Sequence, residues 1–225
     1  TLVKSSAASD VYKRQDYNGE AITKATTGNA TSKVGTNDVP LQDMVGTLLV
    51  TSKDVKSGGN LDISGKSNVY TASKATTQTG SATASINSDP VKGIKSNGGV
   101  KYESGGKIKL DGQANISTDA NAKATGGNNK TATASSTIND VLGIDLTTLN
   151  STNTSGRIAV EAAGNIDIKG SAGAWLNSQS VITNGNAFAT TSSNFIKGVY
   201  VEKITSSGTT GIIGEATNVS GAKAV

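Results

Sequence analysis

Three aspartates in similar short segments are the residues best suited to catalysis. Each lies in one copy of a recurring segment: Asp62 in SGGNLDISG (57–65), Asp111 in SGGKIKLDG (104–112) and Asp167 in AAGNIDIKG (162–170). Carboxylates that converge in a groove, with a basic residue or a calcium ion, would suit polysaccharide cleavage. However, Asp111 is offset by one residue from the other two, so the three do not share a ridge. The chain has no histidine, and Arg157 is its only arginine after residue 15. We therefore predict no catalytic residues and no enzyme activity.

The glycines before Asp62 raise a second hypothesis, an ion site. Residues 58–62 (GGNLD) resemble half of the glycine–aspartate turn that binds calcium in repeats of about nine residues. Here the copies are 47 and 58 residues apart, and Lys109 replaces Asp62 in the second copy. A phosphate-binding glycine motif at the start of a helix is also absent from the sequence. We therefore predict that Asp62 is an outward polar residue, with no metal and no cofactor.

Two aromatic residues are candidates for surface contacts. Aligning the copies at Gly65, Gly112 and Gly170 places Tyr70 beside Trp175, with Ser117 between them. Their neighbours Val69, Ile116 and Ala174 are then predicted to face inward and the rings outward. Exposed rings on a repetitive surface can stack on sugars or pack on a partner. The alternative is that the rings only cover the adjacent surface of the protein.

The composition excludes several classes of protein. The chain of 225 residues has no cysteine and no histidine, which removes disulfides, catalytic cysteine, histidine-base mechanisms and zinc sites built on these residues. Aromatic residues make up 4% and charged residues 17%, while glycine occurs 27 times, so few large side chains could fill a conventional core. The net charge is only +4 and the lysines are scattered, which predicts no nucleic-acid partner. No apolar run is long enough to predict a membrane-spanning segment.

The sequence repeats. Each of the three segments carries apolar residues two apart between glycines, the pattern of a β-strand with one buried face: Leu61 and Ile63, Ile108 and Leu110, Ile166 and Ile168. Upstream glycines recur at steps of 47, 50 and 55 residues: Gly46, Gly93, Gly143 and Gly198. The third copy is eight residues longer than the first two, which predicts an insertion around residues 147–154. In the fourth copy Gly211 takes the place of Gly59, so Glu215 falls where the second apolar residue is expected.

Long runs of Ala, Ser, Thr and Asn separate these strands, and each has a turn signal at its centre. The signals are Gly28-Asn29, Thr79-Gly80, residues 126–129 (GGNN) and Asn184-Gly185-Asn186. Glycine and asparagine tolerate positive φ, so the strand is predicted to bend or reverse there. The fold class predicted is all-β, a parallel β-helix (β-solenoid) of about four imperfect repeats of roughly 50 residues, with about two coils per repeat. The repeats are approximately 19–65, 66–112, 113–170 and 171–225. An extended array of hairpins is the alternative.

The first fifteen residues are set apart from this fold. Residues 5–15, SSAASDVYKRQ, resemble residue for residue the translation of a transposase adapter used in sequencing libraries. We predict that residues 1–15 are a disordered assembly artefact and that residues 16–225 form a single solenoid fragment from a metagenomic reading frame.

Glycine-bounded strands of this type, joined by Ala/Ser/Thr/Asn runs, resemble the repeats of filamentous haemagglutinin-like and leukotoxin-type bacterial adhesins over residues 20–225. The resemblance implies a right-handed parallel β-helix stalk, exported to the bacterial cell surface or outside the cell. It implies attachment by repetitive, non-catalytic contacts with glycans or proteins of a host or a neighbouring cell. The alternative function is a carbohydrate-binding or carbohydrate-cleaving β-helix protein.

Overall fold

The computed structural model describes nine stretches of the chain: residues 9–25, 29–34, 44–49, 55–96, 101–126, 128–146, 159–162, 164–201 and 204–225. These stretches contain strands and turns and no helix. The prediction of an all-β protein with parallel sheets is confirmed.

The strands form four sheets, and strands of one sheet are four apart in chain order. The long sheet has five strands: β1 (Ser9–Ala25), β5 (Leu61–Thr77), β9 (Ile108–Ala124), β13 (Ile166–Ile182) and β17 (Thr210–Ala224). The second sheet has four: β2 (Ala30–Val34), β6 (Ala82–Ser88), β10 (Lys130–Ile138) and β14 (Gly185–Ser193). The third has β3 (Met44–Leu49), β7 (Val91–Ser96), β11 (Val141–Leu146) and β15 (Ile196–Val201). The fourth has β4 (Val55–Ser57), β8 (Lys101–Ser104), β12 (Ala159–Ala162) and β16 (Ile204–Ser206).

The strand register follows the sequence repeat. In the third sheet Met44 is paired with Val91, Val91 with Val141, and Val141 with Ile196, which reproduces the predicted steps of 47, 50 and 55 residues. Paired strands are therefore one whole repeat apart, and the prediction of two coils per repeat is wrong. Every strand pairing in the described stretches is parallel, which contradicts the hairpin alternative. The long runs cannot fold back on themselves because their two halves belong to different sheets.

Turn residues make the bends between the long sheet and the second sheet. After β5 the chain turns at residues 78–80, and after β9 it turns at Asn128 and Asn129. Asn129 has a φ of 58° and Gly185, the first residue of β14, has a φ of 140°. These are conformations that asparagine and glycine adopt most readily. The predicted turn signals at these positions are confirmed as bends rather than reversals.

Two columns of glycine allow the long sheet and the third sheet to touch. A Cβ atom added at Gly112 would lie 2.9 Å from the carbonyl carbon of Gly143, and one added at Gly170 would lie 2.6 Å from that of Gly198. Any larger residue would force the two backbones apart. The glycines that recur in the sequence are therefore sites of backbone contact between two sheets.

The interior changes character along the long strands. Near their beginning, Leu61, Ile108 and Ile166 pack with Ile144 and other large residues of the third and fourth sheets; we call this cluster the leucine–isoleucine core. Near their end, Ala75, Ala120 and Ala122 pack against alanines of the second sheet; we call this cluster the alanine core. Because interiors are close-packed, the smaller side chains bring the facing backbones closer together.

Serine hydroxyls show how close the sheets are in the alanine core. The hydroxyl of Ser73 donates to the carbonyl of Ser32 at 2.9 Å, and that of Ser178 donates to the carbonyl of Thr190 at 2.8 Å. A side chain of only two heavy atoms thus spans the gap between two sheets. These bonds satisfy backbone carbonyls and add directional contacts to an otherwise weak apolar interface.

The fourth copy is aligned differently from the prediction. Ile212 is paired with Ile168 and Gly214 with Gly170, so Thr210, not Glu215, replaces an apolar residue. The counterpart of Gly164 is Gly208, where an added Cβ would lie 2.9 Å from the carbonyl carbon of Gly164. Gly211 is therefore a chance match in the sequence. The predicted insertion lies outside the described residues, but its flanks, Leu146 and Ala159, place the extra residues between β11 and β12.

Residues 9–15 are part of β1, which differs from the disorder predicted for residues 1–15. Ser9 to Gln15 pair in register with Leu61 to Ser67. Backbone pairing to an open parallel edge depends little on sequence, which explains why a foreign segment could extend the strand. At the position of Gly65, however, β1 carries Lys13 instead of glycine. The foreign origin of the segment stays a prediction.

Candidate binding surface

The outward face of the long sheet is a grid of side chains. Strands β5 and β9 alternate buried and partly exposed residues along most of their length, as expected for strands with one face in the core. Because β5, β9, β13 and β17 are in parallel register, outward residues of equal position form straight columns across the strands. The candidate residues from the sequence can therefore be placed on this grid.

The three aspartates occupy two columns. Asp62, Lys109 and Asp167 form one column, so a lysine separates the two carboxylates. Asp111 lies in the next outward column, between Ser64 and Lys169. Its offset is therefore two residues rather than one, and all three side chains are on the same face. Arg157 lies outside the described residues.

A groove of about 410 Å³ lies at this end of the grid and is lined by residues 62–66 with Lys109, Asp111 and Gln113. Acidic and basic residues alternate along its columns, so positive and negative charges are neighbours in both directions. Among the described residues, no three Asp or Glu side chains are grouped to hold a metal ion. The groove is thus a mixed-charge surface rather than a cluster of carboxylates.

The turn before Asp62 uses its polar atoms within the protein. The side-chain oxygen of Asn60 accepts the backbone N–H of Lys107 at 3.0 Å, and that of Asn165 accepts the N–H of Thr209 at 3.1 Å. In both cases the acceptor belongs to one copy and the donor to the next. The SGGN turn therefore joins consecutive copies by hydrogen bonds that repeat along the structure.

Tyr70, Ser117 and Trp175 form a single column, as predicted from the sequence. Tyr70 is 44% exposed and Trp175 is 41% exposed. Their neighbours Val69, Ile116 and Ala174 are buried, so the predicted alignment and orientation are confirmed. That these rings contact a partner stays a prediction.

The structure reveals a feature around Trp175 that sequence reasoning missed. A Cβ atom added at Gly173 would lie 2.6 Å from Cζ3 of Trp175 and 2.9 Å from Oδ1 of Asn115. The indole therefore folds back along its own strand and covers Gly173, which is buried although it faces outward. The signal was available in the sequence as Gly-Ala-Trp, a glycine two residues before the ring.

Amide side chains border the aromatic column on both sides. On one side, the amide of Asn115 donates to Oδ1 of Asn68 at 3.1 Å. On the other side, the amide of Asn177 donates to Oδ1 of Asp119 at 2.8 Å. The rings are thus set in a strip of hydrogen-bonding groups.

Other exposed aromatic residues lie on different sheets. Phe188 is in β14 of the second sheet and is 54% exposed. Phe195 and Tyr200 flank the amine of Lys197, which lies 4.8 Å and 4.3 Å from the two ring centroids. A cation over the ring face is a stabilising contact, so these two rings already have a partner within the chain.

Two buried charges lie on the third sheet. Nζ of Lys92 in β7 is 2.8 Å from Oδ2 of Asp145 in β11, and the side chains are only 6% and 4% exposed. Asp145 is paired in register with Lys95, so Lys92 reaches it diagonally across the two strands. Because one ion alone in this position would be costly, the two residues constrain each other.

Tyr102 is a third buried polar group near this region. It is fully buried, and burial raises the pKa of its hydroxyl to about 12, an effect opposed by the nearby Ser96 hydroxyl. Neither hydroxyl has a hydrogen-bond partner of good geometry. The site is thus a strained polar position in the leucine–isoleucine core.

Comparisons with known proteins give no relative. No family model matches the chain, no curated protein matches it, and no solved structure matches it. A search of the described residues for a helix of the length and apolarity needed to cross a membrane found none.

Proposed function

We propose that the chain is a β-solenoid that serves as a stalk segment of a large bacterial surface adhesin and attaches cells by repetitive, non-catalytic contacts. The supporting observation is the regular register: each of four sheets takes one strand from each successive repeat. A chain that winds once per repeat would produce this pattern, and stacked coils of this kind form stiff, extendable structures.

The surface chemistry also favours contact over catalysis. Outward columns combine hydroxyl, amide and alternating charged groups, and the aspartates are separated by Lys109 and by their different columns. Weak contacts of this type gain strength when many repeats bind at once, because linked sites raise the effective concentration of each other. A long repeated surface is well suited to binding of this kind.

The winding can be tested with engineered cysteines, since the chain has none of its own. Lys66 and Gln113 are outward register partners on adjacent strands, so Lys66→Cys with Gln113→Cys is expected to form a disulfide readily under mild oxidation. Lys66→Cys with Ser117→Cys is the matched control, four residues out of register, and is expected to stay reduced. Equal oxidation of both pairs would contradict the proposed winding.

Adhesion can be tested with beads coated with the purified full chain and added to epithelial and bacterial cells. We expect more beads to remain bound than beads coated with an unrelated protein of similar charge. Equal retention would contradict the adhesin proposal. Release of reducing sugar from polysaccharides by the same protein would instead favour the carbohydrate-cleaving alternative.

A further inference from the structure

We propose that Tyr70 and Trp175 form a platform for an uncharged glycan chain that runs across the strands of the long sheet. This inference rests on the proposed function, since it names the class of ligand that the adhesive surface binds. The neighbouring Ser117, Asn68, Asn115 and the Asn177–Asp119 pair supply its polar border.

The position of the indole favours stacking. Because the ring of Trp175 lies over Gly173, one face rests on the sheet while the side chain remains 41% exposed. A ring held in this way loses little conformational entropy when a ligand stacks on its free face. The sheet behind it is a rigid support, as required of a preorganised site.

The spacing of the rings suits a chain ligand rather than a single small molecule. Tyr70 and Trp175 are two strands apart, which is about 9.6 Å at the usual strand separation of about 4.8 Å. The small side chain of Ser117 lies between them and leaves room above the sheet. A linear glycan can place one sugar ring on each aromatic ring and cross Ser117 with the sugar between.

The charges around the rings favour a neutral ligand. In the aromatic column and the two columns beside it, strands β5, β9 and β13 carry one charge, Asp119. Its Oδ1 accepts amide protons from Asn177 at 2.8 Å and from Asn121 at 2.9 Å. Amides and hydroxyls can exchange hydrogen bonds with sugar hydroxyls, whereas an ionic ligand would find no opposite charge within this strip.

A protein partner fits this surface less well. Energetic centres of protein interfaces are usually aromatic residues surrounded by contacts that exclude water. Here the borders of the aromatic column are asparagine, aspartate and serine, with Ala72 as the one apolar side chain on β5, β9 or β13. Sugars combine an apolar ring face with a polar rim, which is the arrangement that this strip complements.

Tryptophan fluorescence gives a direct test, since Trp175 is the only tryptophan in the chain. The purified full chain would be titrated with cellohexaose, chitohexaose and dextran as neutral glycans, and with heparin as an anionic one. We expect a blue shift and protection from acrylamide quenching with at least one neutral glycan and no change with heparin. An unchanged spectrum with all three neutral glycans, or a response to heparin alone, would overturn the proposal.

Variants separate the platform from the rest of the surface. Retention on the glycan that gives the largest shift is expected to fall about tenfold in Trp175→Ala and several-fold in Tyr70→Ala, in line with about 1 kcal/mol per stacked ring. Phe188→Ala is the matched control, because this exposed ring lies on another sheet. Loss of retention in the control, or none in Trp175→Ala, would overturn the proposal.

Gly173 tests the position of the indole without removing it. Gly173→Ala would displace the ring, so we expect weaker retention and a changed emission maximum before any glycan is added. Gly221→Ala is the control, because no atom lies within 4 Å of the added Cβ. Equal glycan retention by the two variants would show that the position of the ring is irrelevant and would overturn the platform.

Bead adhesion distinguishes failure of this inference from failure of the adhesin function. Cells would be treated either with mild periodate, which oxidises the vicinal diols of glycans, or with protease. We expect periodate, and not protease alone, to abolish retention of beads carrying the wild-type chain, and Trp175→Ala beads to be retained poorly. Retention that depends on protease-sensitive targets, or that is equal for Trp175→Ala beads, overturns the glycan platform and leaves the adhesin proposal standing. Wild-type beads that do not adhere, with glycan retention intact, overturn only the adhesin proposal.

Discussion

The leucine–isoleucine core and the alanine core are built from the same long strands, yet they solve the packing problem differently. In the first, large side chains such as Leu110 and Ile144 fill a wide space between three sheets. In the second, alanines such as Ala122 and Ala134 let two sheets approach, and serine hydroxyls bond directly to the opposite backbone. The first core depends on apolar volume and the second on close approach with hydrogen bonding.

Their buried polar groups differ as well. Around the alanine core these groups are short hydroxyls with backbone acceptors, whereas the strands that close the leucine–isoleucine core carry an ion pair and the unpaired hydroxyl of Tyr102. Substitutions that remove volume, add volume or remove a charge should therefore have opposite consequences in the two regions. The free energies below refer to urea unfolding followed by circular dichroism.

The largest effect is expected at the buried ion pair. Asp145→Leu would leave the amine of Lys92 buried without its carboxylate and should lower the free energy of unfolding by about 3–5 kcal/mol. The double variant Lys92→Met with Asp145→Leu removes both charges and should recover most of this loss. A double variant no more stable than the single one would show that the two residues act independently.

Removal of volume should be costly in the leucine–isoleucine core. Leu110→Ala would leave a cavity in a fully buried position and should cost about 2–5 kcal/mol. Ile213→Ala, at an exposed position of β17, is the control and should change stability little. Equal losses in the two variants would contradict the packing described for this core.

Addition of volume should be costly in the alanine core. Ala122→Leu would force the long and second sheets apart, with a loss of about 1–3 kcal/mol. The same substitution would also lengthen hydrogen bonds such as that from Ser178 to Thr190, which amide exchange in β13 and β14 can detect. Unchanged stability would indicate spare room between these sheets and weaken the distinction between the two cores.

Tyr102→Phe should stabilise the leucine–isoleucine core by about 1 kcal/mol at neutral pH, because it removes a buried hydroxyl without a partner. The effect depends on pH: with a folded pKa of about 12 and an unfolded pKa of about 10, the folded protein favours the neutral phenol. The stability that this provides is complete below pH 10 and is lost as the pH rises from 10 to 12. Unfolding curves should therefore show a steeper alkaline loss in the wild type than in Tyr102→Phe, with Tyr70→Phe as the control. Parallel losses in the wild type and Tyr102→Phe would contradict the burial of this hydroxyl.

The smallest effect is expected from deletion of residues 1–15. Lys13 occupies the register position at which Gly112 and Gly170 contact the third sheet, so this part of β1 lacks the residue that the fold requires there. We expect the free energy of unfolding to change by less than about 0.5 kcal/mol, in keeping with a foreign origin of the segment. A loss well above this value would show that residues 9–15 belong to the folded unit.

The sequence alone determined the β-strands, their inward and outward faces, the repeat steps and the alignment of Tyr70 with Trp175. It could do so because apolar alternation and glycine spacing are local properties that each repeat states again. It failed where a choice depends on partners distant in the chain. Whether paired strands are half a repeat or a whole repeat apart, and whether Gly208 or Gly211 belongs to the glycine column, are settled by hydrogen bonds between copies. The placement of the indole over Gly173, the diagonal pair of Lys92 with Asp145 and the serine bonds across the alanine core likewise exist only when separate strands are brought together. These contacts depend on distances between backbones, which no run of residues specifies by itself.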